Sequence, residues 1–395
     1  MRFGTTGREG RTKSWFGGDG HTPASVTQTA MRSSRGMMAR SASNRGLWLK
    51  SLIATDNLQG KGAAMEVGFF FWPYDPDLVR RMANAADRYG FDLIGIADTP
   101  GNAMDPWVAA TMVAEATERP RLAICVSNLV SRHPAVSAAA IASLDLLAPN
   151  RAILGLGTGH SGTRNIGLAR SGVVELATGT AFIRQLLSGR PAVWQGTEAH
   201  LPWVQRSSPV FVAGSGAKAL AAAGNMADGA FVNFGIAAEN LAQTEAAVIA
   251  GARAAGRDPA EVETWQVAAL DCHRDGAKSR HRIGAILAFM AAGYILQGDL
   301  SARGVPAELH SAVIELKRRY STRPSDADAA LVEELGLFDY LAQRFAVYGT
   351  PEECRAQMAV AQAAGLRRVM FTVSLAADPL GTVELFGGEV LSALR

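Results

Sequence analysis

Short apolar runs alternate with segments of helical periodicity from residue 65 to the end of the chain. Residues 66–72 (EVGFFFW) form an aromatic-rich run that ends at Pro73, which predicts a buried strand. Over 77–89, apolar residues recur at helical spacing before Gly90, which predicts a helix. The same patterns predict further strands at 91–97, 121–126, 151–156, 209–213, 229–234, 264–271 and 368–373. They predict further helices at 106–117, 134–147, 179–187, 217–226, 237–255, 351–364 and 383–394.

These predicted strands are apolar on both faces, which is typical of a parallel sheet covered by helices on both sides. Eight strand–helix units predict an α/β protein with a (β/α)8 TIM barrel, and an open doubly wound sheet is the alternative. A helical insertion is expected at about 277–343, between the seventh and eighth strands. Its charged run Lys317, Arg318 and Arg319 favours a solvated helix face, and the alternative is a lid over the barrel.

Residues 1–64 differ from the rest of the chain because they show no periodicity and are rich in Gly, Ser, Thr and Arg. They hold ten Lys and Arg residues against three Asp and Glu residues. We expect a disordered basic leader followed by one barrel domain over 65–395. The composition favours upstream sequence that precedes a natural start at Met65, and the alternative is an organelle transit peptide.

Charge, hydropathy and cysteine content exclude several classes of protein. Outside the leader, 29 Lys and Arg residues stand against 33 Asp and Glu residues, which argues against a nucleic-acid partner. No run of 18 apolar residues occurs, so no membrane span is expected. The cysteines Cys125, Cys272 and Cys354 are far apart and odd in number, which fits a reducing compartment and predicts a cytoplasmic protein. The absence of HxH, HExxH and carboxylate-rich patterns predicts no metal site.

The loops that follow barrel strands are where chemistry is expected. Gly214, Ser215 and Gly216 separate a predicted strand from the predicted helix 217–226. Bare backbone N–H groups, a hydroxyl and a helix N-terminus together favour an anion such as a phosphate. The alternative is a tight turn with an ordinary serine cap, and the residues alone leave both interpretations open.

A second glycine loop, 157–162 (GTGHSG), has the GxGxxG pattern of a dinucleotide fingerprint. That interpretation is disfavoured because Gly167 and Gly172 interrupt the following segment, and no acidic residue ends a next strand at the required spacing. We interpret the loop as one that holds a flat ring against bare backbone.

Polar side chains at predicted strand ends are the other candidates. His160, inside the glycine loop, is suited to hydrogen-bonding a cofactor ring or to shuttling a proton near neutral pH. Asn128 offers a donor and an acceptor to a heterocycle edge, and Asp98 is a second candidate catalytic group. The alternatives are local backbone contacts for Asp98 and Asn128, and a loop position without a role for His160. His133 is expected to close the turn before Pro134.

Four segments together resemble the luciferase-like flavin oxidoreductase family. They are 126–128 (VSN) with 132–135 (RHPA), 140–147 with 151–157 (RAILGLG), 212–216 (VAGSG) with Gly224 and 227–229 (ADG), and 348–353 (YGTPEE). The resemblance covers about residues 65–395. Within the family it looks closest to the methylenetetrahydromethanopterin reductase branch, whose insertion is similar to 287–293 (LAFMAAG).

The resemblance implies a TIM barrel that binds FMN or a deazaflavin at the carboxyl ends of its strands. Two groups of residues would hold the cofactor: Gly214, Ser215 and Gly216 at its phosphate, and Asn128, Gly157, Thr158 and Gly159 near its ring. The family also implies a non-proline cis peptide near Cys125–Val126 and a homodimer or homotetramer. His160 departs from the family, because many relatives have an acidic residue there. We therefore expect a different ring environment and a different reaction, and the substrate of the reductases does not carry over to this chain.

The main expectation from the sequence is a two-component monooxygenase that uses reduced FMN and O2 on a small organic substrate. A separate reductase would supply the reduced flavin, since no nicotinamide-binding fold is visible. The first alternative is hydride transfer with a deazaflavin coenzyme, as in the methylenetetrahydromethanopterin reductase branch. The second is a non-catalytic flavin-binding barrel, which is disfavoured because the glycine loops and the insertion are all retained.

Overall fold

Parallel strands form a closed barrel in the part of the chain that the computed structural model describes, which is residues 65–320, 325–373 and 377–394. In chain order the strands are β1 (Glu66–Phe71), β2 (Leu93–Ile96), β3 (Arg121–Asn128), β4 (Ala152–Gly157), β5 (Ala192–Trp194), β6 (Thr197–Ala199), β7 (Val210–Gly214), β8 (Gly229–Val232), β9 (Glu263–Cys272), β10 (Ala346–Gly349) and β11 (Arg368–Thr372). The barrel order is β11-β1-β2-β3-β4-β7-β8-β9, and β9 pairs with β11 to close it. The predicted leader, 1–64, lies outside the described residues.

The pairing register shows this closure directly. Phe69 of β1 is opposite Phe371 of β11 on one side and opposite Ile94 of β2 on the other. Phe231 of β8 is opposite Trp265 of β9. The eight strands therefore form a complete ring, which confirms the TIM-barrel prediction and shows that the open doubly wound alternative is wrong.

Helices cover the outside of the ring. In chain order the α-helices are α1 (Pro76–Tyr89), α2 (Pro106–Ala116), α3 (Pro134–Leu147), α4 (Ser161–Arg164), α5 (Val173–Leu187), α6 (Ala217–Met226), α7 (Ala238–Ala254), α8 (Gly276–Met290), α9 (His310–Arg319), α10 (Asp326–Glu334), α11 (Phe338–Phe345), α12 (Pro351–Ala363) and α13 (Pro379–Glu389). Among the residues described, no helix is both long enough and apolar enough to cross a membrane.

Helix α1 shows how local sequence sets these elements. The Asp75 side chain accepts a hydrogen bond from the Leu78 backbone N–H, which satisfies one of the unpaired donors of the first turn. Gly90 ends the helix with a φ of 77°, in the left-handed region that glycine adopts readily. Between these caps, α1 buries Val79 and Met82 against the barrel wall.

Strand β3 extends two residues past its predicted end and contains a cis peptide bond between Cys125 and Val126. The resemblance placed a non-proline cis peptide at this position, and the structure confirms it. The pairing of β3 with β4 also shifts register between Ile124 and Ser127.

Three elements differ from the sequence predictions. Helix α5 begins at Val173 and not at 179, so Gly179 lies inside the helix. Glycine is needed at 179 because a Cβ there would be 2.3 Å from Leu129 Cδ1. Strands β5 and β6 form an unpredicted hairpin whose turn residues, Gln195 and Gly196, have φ values of 48° and 82°. Strand β10 was also missed: it is only four residues long and pairs with the end of β9 outside the ring.

The chain between β9 and β10 is mostly helical. It contains α8 to α11, and α8 continues into a π-helical turn at Ala291–Ile295. Arg318 and Arg319 are exposed and pair with Glu315 and Glu334 at 2.6 and 2.7 Å. These two arginines therefore lie on a solvated helix face, as their charge pattern predicts.

Candidate active site

The loops after β2, β3 and β4 meet at the carboxyl ends of the strands, which we call the barrel mouth. Gly162 lies between them, since a Cβ at this position would be 2.7 Å from the Asp98 backbone oxygen and 3.5 Å from Asn128 Nδ2. The structure therefore brings Asp98 and Asn128 to the glycine loop that carries His160.

Asp98 is half-buried at the end of β2. The Ser127 hydroxyl donates a hydrogen bond to Asp98 Oδ2 at 2.7 Å. Burial raises the pKa of the Asp98 carboxyl above 3.8, although the Ser127 hydrogen bond and the positive charge of Arg132 act against it. A carboxyl with a raised pKa at the barrel mouth is suited to proton exchange.

Asn128 is 2% exposed, and its oxygen is used within its own loop. Oδ1 accepts hydrogen bonds from the backbone N–H groups of Val130 and Ser131 at 2.9 and 2.8 Å, and from the Ser131 hydroxyl at 3.1 Å. The local role considered for Asn128 is thus present in the structure. A contact with a heterocycle would have to come from its amide nitrogen.

The glycines of the β4 loop, residues 157–162, are required by packing and backbone conformation. At Gly157 a Cβ would be 3.0 Å from Val126 Cγ2. Gly159 has a φ of 88°, and a Cβ there would be 2.5 Å from Thr163 Cγ2. The Thr158 carbonyl accepts a hydrogen bond from the Ser171 backbone N–H at 2.8 Å. The loop is held in place by these contacts while its backbone stays bare at the mouth.

His160 is half-buried and connects the β4 loop to the π-helical turn after α8. Burial lowers the pKa of its imidazole below 6.5, and the positive charges of Arg164 and Arg170 lower it further. A hydrogen bond between the ring and the Gly293 backbone acts in the opposite direction. His160 is therefore a neutral imidazole at pH 7.

Gly214, Ser215 and Gly216 form the β7 loop, between β7 and α6. Gly216 is the N-cap of α6 and has no side chain to cap it, so the alternative of an ordinary serine cap is wrong. At Gly214 a Cβ would be 2.8 Å from the Ala219 Cβ. The first turn of α6 thus presents backbone N–H groups at the mouth.

Sequence reasoning missed Arg303, which reaches the β7 loop from the segment after the π-helical turn. Its Nη1 donates to the Ser215 backbone oxygen at 2.5 Å and lies 3.4 Å from the Ser215 hydroxyl. The Arg303 backbone oxygen accepts a hydrogen bond from Arg344 Nη2 at 2.7 Å. The pKa of Arg303 is lowered by burial and by the charge of Arg344, so two cations lie close to this loop.

Two other polar groups at strand ends were not assigned a role from the sequence. The buried Asn233 Oδ1 has no hydrogen-bond partner among the described residues, and the Asn233 backbone N–H donates to the Gly214 oxygen at 2.9 Å. Asp271, at the end of β9, is fully buried and lies 2.9 Å from Arg282 Nε. Burial raises the pKa of Asp271, and Arg282 lowers it in part. Reading every strand end for polar residues would have found both.

These features fit a cofactor with a flat ring and a phosphate. The two glycine loops follow β4 and β7, which are neighbours in the barrel with Leu156 opposite Val212. One loop combines bare backbone with the His160 imidazole, and the other combines bare backbone, a helix N-terminus and Arg303. Asn233 adds a buried acceptor that has no hydrogen-bond partner within residues 65–320, 325–373 and 377–394. An organic cofactor that carries both groups would meet each loop at one rim of the barrel.

The chain is similar in sequence to known oxidoreductases. A family profile described as luciferase-like monooxygenase matches residues 52–368. The 5,10-methylenetetrahydromethanopterin reductase of Methanolobus tindarius is 26% identical over 341 residues, covering 83% of this chain and 100% of that protein. The F420-dependent hydroxymycolic acid dehydrogenase of Mycobacterium tuberculosis is 33% identical over 45% of this chain and 54% of that protein.

Solved structures show the same fold. The coenzyme F420-dependent tetrahydromethanopterin reductase of Methanopyrus kandleri superimposes with a TM-score of 0.67 at 22% identity, covering 84% of this chain and 100% of that chain.

Proposed function

The chain belongs to the luciferase-like monooxygenase family of oxidoreductases, and within it we propose a deazaflavin-dependent enzyme that exchanges a hydride with a small organic substrate. The residues and the family resemblance alone favoured the FMN monooxygenase. Two relatives support the deazaflavin alternative instead. A protein named as a reductase aligns along its whole length with 83% of this chain, and a dehydrogenase named as F420-dependent is 33% identical over 45% of it. The alignment to the F420-dependent dehydrogenase is the observation that carries the proposal.

The two glycine loops are the residues that would hold the coenzyme. The ring would lie against Gly157, Thr158 and Gly159, and the phosphate at Gly214–Gly216. A bound deazaflavin supplies or accepts the hydride. The protein's part is then to fix the ring against bare backbone and to exclude water from the mouth.

His160 is the group that we assign to proton transfer. When an alcohol is oxidised, its carbon loses a hydride and its oxygen loses a proton, so a base is needed near the ring. His160 is neutral at pH 7, and the neutral imidazole has one N–H donor and one acceptor nitrogen. In the reverse direction the same ring returns the proton to the oxygen. Asp98, close to the same loop, is the second group that can hold a proton.

The test is a titration of the purified full-length chain with coenzyme F420 and with FMN, followed by fluorescence. We expect F420 to bind at least about tenfold more tightly, a difference of roughly 1.4 kcal/mol. Reduced F420 should then be oxidised anaerobically by a small carbonyl substrate. Binding of FMN alone, or tight binding without turnover of any compound in a carbonyl and alcohol panel, would contradict the proposal.

A monooxygenase that uses reduced FMN and O2 is the second candidate, because the family profile carries that description. A separate reductase would then supply the reduced flavin. Substrate-dependent oxygen consumption with reduced FMN, and none with reduced F420, would select this candidate. The third possibility from the sequence, a non-catalytic flavin-binding barrel, would show binding with neither activity.

We also propose that the protein is a homo-oligomer, a dimer or tetramer. Helices α2 and α3 pack side by side and expose large apolar side chains to solvent. Val108 is 55% exposed, Val136 is 50% exposed and Leu147 is 52% exposed. A second copy of the chain would cover such a surface. Sedimentation should show a dimer or larger species, and the double variant Val108→Lys, Val136→Lys should sediment as a monomer.

A further inference from the structure

Arg303 extends from the chain after the π-helical turn to the β7 loop, and the hydrogen bonds of its guanidinium are unevenly distributed. Nε donates to the Gln297 backbone oxygen at 3.0 Å, and Nη1 donates to the Ser215 backbone oxygen at 2.5 Å. No acceptor for Nη2 is present among the described residues. With the longer contact of Nη1 to the Ser215 hydroxyl, three hydrogen bonds fix the direction of the side chain, and Nη2 is left to bind a ligand.

The end of the guanidinium that carries Nη1 and Nη2 lies beside Gly216. A Cβ on Gly216 would be 3.6 Å from Arg303 Nη2 and 3.7 Å from Nη1. The φ of Gly216 is −114°, which any residue adopts, and among the described residues no side chain other than Arg303 comes nearer than 3.9 Å to this Cβ position. Neither packing nor backbone conformation therefore requires glycine at 216. The absence of a side chain at Gly216 leaves space between the Arg303 guanidinium and the first backbone N–H groups of α6.

The charges around this space are also unbalanced. Arg344 is 3% exposed, and it uses Nε and Nη2 to donate to the backbone oxygens of Phe234 and Arg303. In the described part of the chain, no carboxylate oxygen lies within the 4.0 Å ion-pair distance of Arg303 or Arg344. Lys317 lies close enough for the charge of Arg303 to lower its pKa. A half-buried cation without a carboxylate partner favours an anionic ligand.

We propose that Arg303 is a coenzyme-binding residue, whose guanidinium donates to the phosphoryl oxygens of the coenzyme at Gly214–Gly216. This inference rests on the proposed function, because it takes the ligand to be a phosphate-bearing flavin or deazaflavin. The planar guanidinium presents donors in a fork that matches two phosphoryl oxygens. The helix N-terminus supplies further donors from the opposite side.

The test measures the affinity of the wild-type chain, Arg303→Ala and Arg303→Lys for pairs of compounds that differ in whether they carry a phosphate. The pairs are FMN with riboflavin, and coenzyme F420 with its deazaflavin core lacking phosphate and tail. In Arg303→Ala we expect the phosphate-bearing member of each pair to bind about 10- to 100-fold more weakly, the range of a charged hydrogen bond. The phosphate-free member should change less than about threefold, and Arg303→Lys should recover part of the loss.

Arg257→Ala is the matched control. Arg257 Nη1 donates to the Gly224 backbone oxygen of α6 at 2.9 Å, so this variant also removes an arginine bonded to a carbonyl beside the same helix. Arg257→Ala should weaken the binding of both compounds of each pair equally, or leave the binding of both unchanged. Equal weakening of both members in Arg303→Ala, or no weakening, would overturn the role of Arg303 while leaving the proposed function standing. A wild-type chain that binds none of the four compounds would overturn both.

Discussion

The two loops at the barrel mouth are both rich in glycine, but their glycines serve different physical purposes. In the β4 loop, Gly159 has a φ of 88°, and a Cβ there would lie 2.5 Å from Thr163. In the β7 loop, Gly216 has ordinary backbone angles, and the described atoms nearest to a Cβ there would be those of the Arg303 guanidinium, at 3.6 Å or more. The first glycine is needed for the loop to fold, and the second leaves space for a ligand.

The loops also differ in electrostatics. The β4 loop presents His160, which is neutral at pH 7 because burial and two nearby arginines lower its pKa. The β7 loop presents Arg303, which remains charged and is reinforced by Arg344. We therefore assign proton transfer and ring contact to the first loop and anion binding to the second. Each variant below should change turnover, stability or affinity, but not all three.

The largest effect is expected from His160→Ala, which acts on turnover. Removal of a positioned acid–base group lowers kcat by about 100- to 10,000-fold. In the direction of alcohol oxidation, the wild-type kcat should rise with pH through an apparent pKa below 6.5, because the neutral imidazole is the active form. The variant should lose this rise and keep its coenzyme affinity. Steady-state kinetics across pH measures the change in kcat, and a fluorescence titration measures the coenzyme affinity.

His200→Ala is the control for that experiment. His200 Nε2 is 3.1 Å from the Gly189 backbone oxygen, so the variant also removes an imidazole that contacts a carbonyl, but it lies in the segment before β7. Its kcat should stay within about twofold of the wild type. An unchanged kcat in His160→Ala would remove His160 from the mechanism.

Gly159→Ala should act mainly on stability. Alanine at a φ of 88° is strained, and its Cβ would overlap Thr163. We expect the free energy of unfolding, measured by urea denaturation, to fall by about 2 kcal/mol. A fully stable Gly159→Ala variant would mean that the β4 loop is not fixed by its own packing, and the contrast between the loops would disappear.

The sequence was sufficient to predict the fold. All eight barrel strands were predicted within about two residues at each end because each is a continuous apolar run. The cis peptide at Cys125–Val126 came from family resemblance and could not have come from periodicity. The start of α5 was missed because Gly179 looks like a helix end, whereas its missing Cβ makes room for Leu129.

The candidate site could be predicted only in part. The rule that chemistry lies on the loops after barrel strands finds Asp98, His160 and the β7 loop, since parallel strands bring their carboxyl ends to one rim. It could not find Arg303, which lies beyond α8 and the π-helical turn in the connection after β9 and is 88 residues from Ser215 along the chain. The rule also could not show that Asn128 Oδ1 serves its own turn, because that depends on the local path of the loop.

Gly216→Ala should weaken coenzyme binding without affecting the fold. The added methyl group would occupy the space beside Arg303 that we assign to the phosphate. We expect FMN and F420 to bind about tenfold more weakly and the free energy of unfolding to change by less than about 1 kcal/mol. Riboflavin affinity is the internal control and should stay unchanged. A fall in stability as large as that of Gly159→Ala would show that both glycines are structural.

The smallest effect is expected from Asp98→Asn, which tests the electrostatics beneath the β4 loop. Burial raises the pKa of Asp98 above 3.8 in the folded chain. Such a carboxyl stabilises the fold while it is protonated, and that contribution is lost as the pH rises through the folded pKa. At pH 7 the ionised, half-buried carboxylate therefore disfavours folding, and an asparagine that still accepts the Ser127 hydrogen bond should relieve this. Urea unfolding should show the variant to be more stable than the wild type at pH 7, with the gap closing as the pH falls toward 4. A gap that widens at low pH would mean that Asp98 is stabilised as the carboxylate, which would give the mouth a fixed negative charge beside His160.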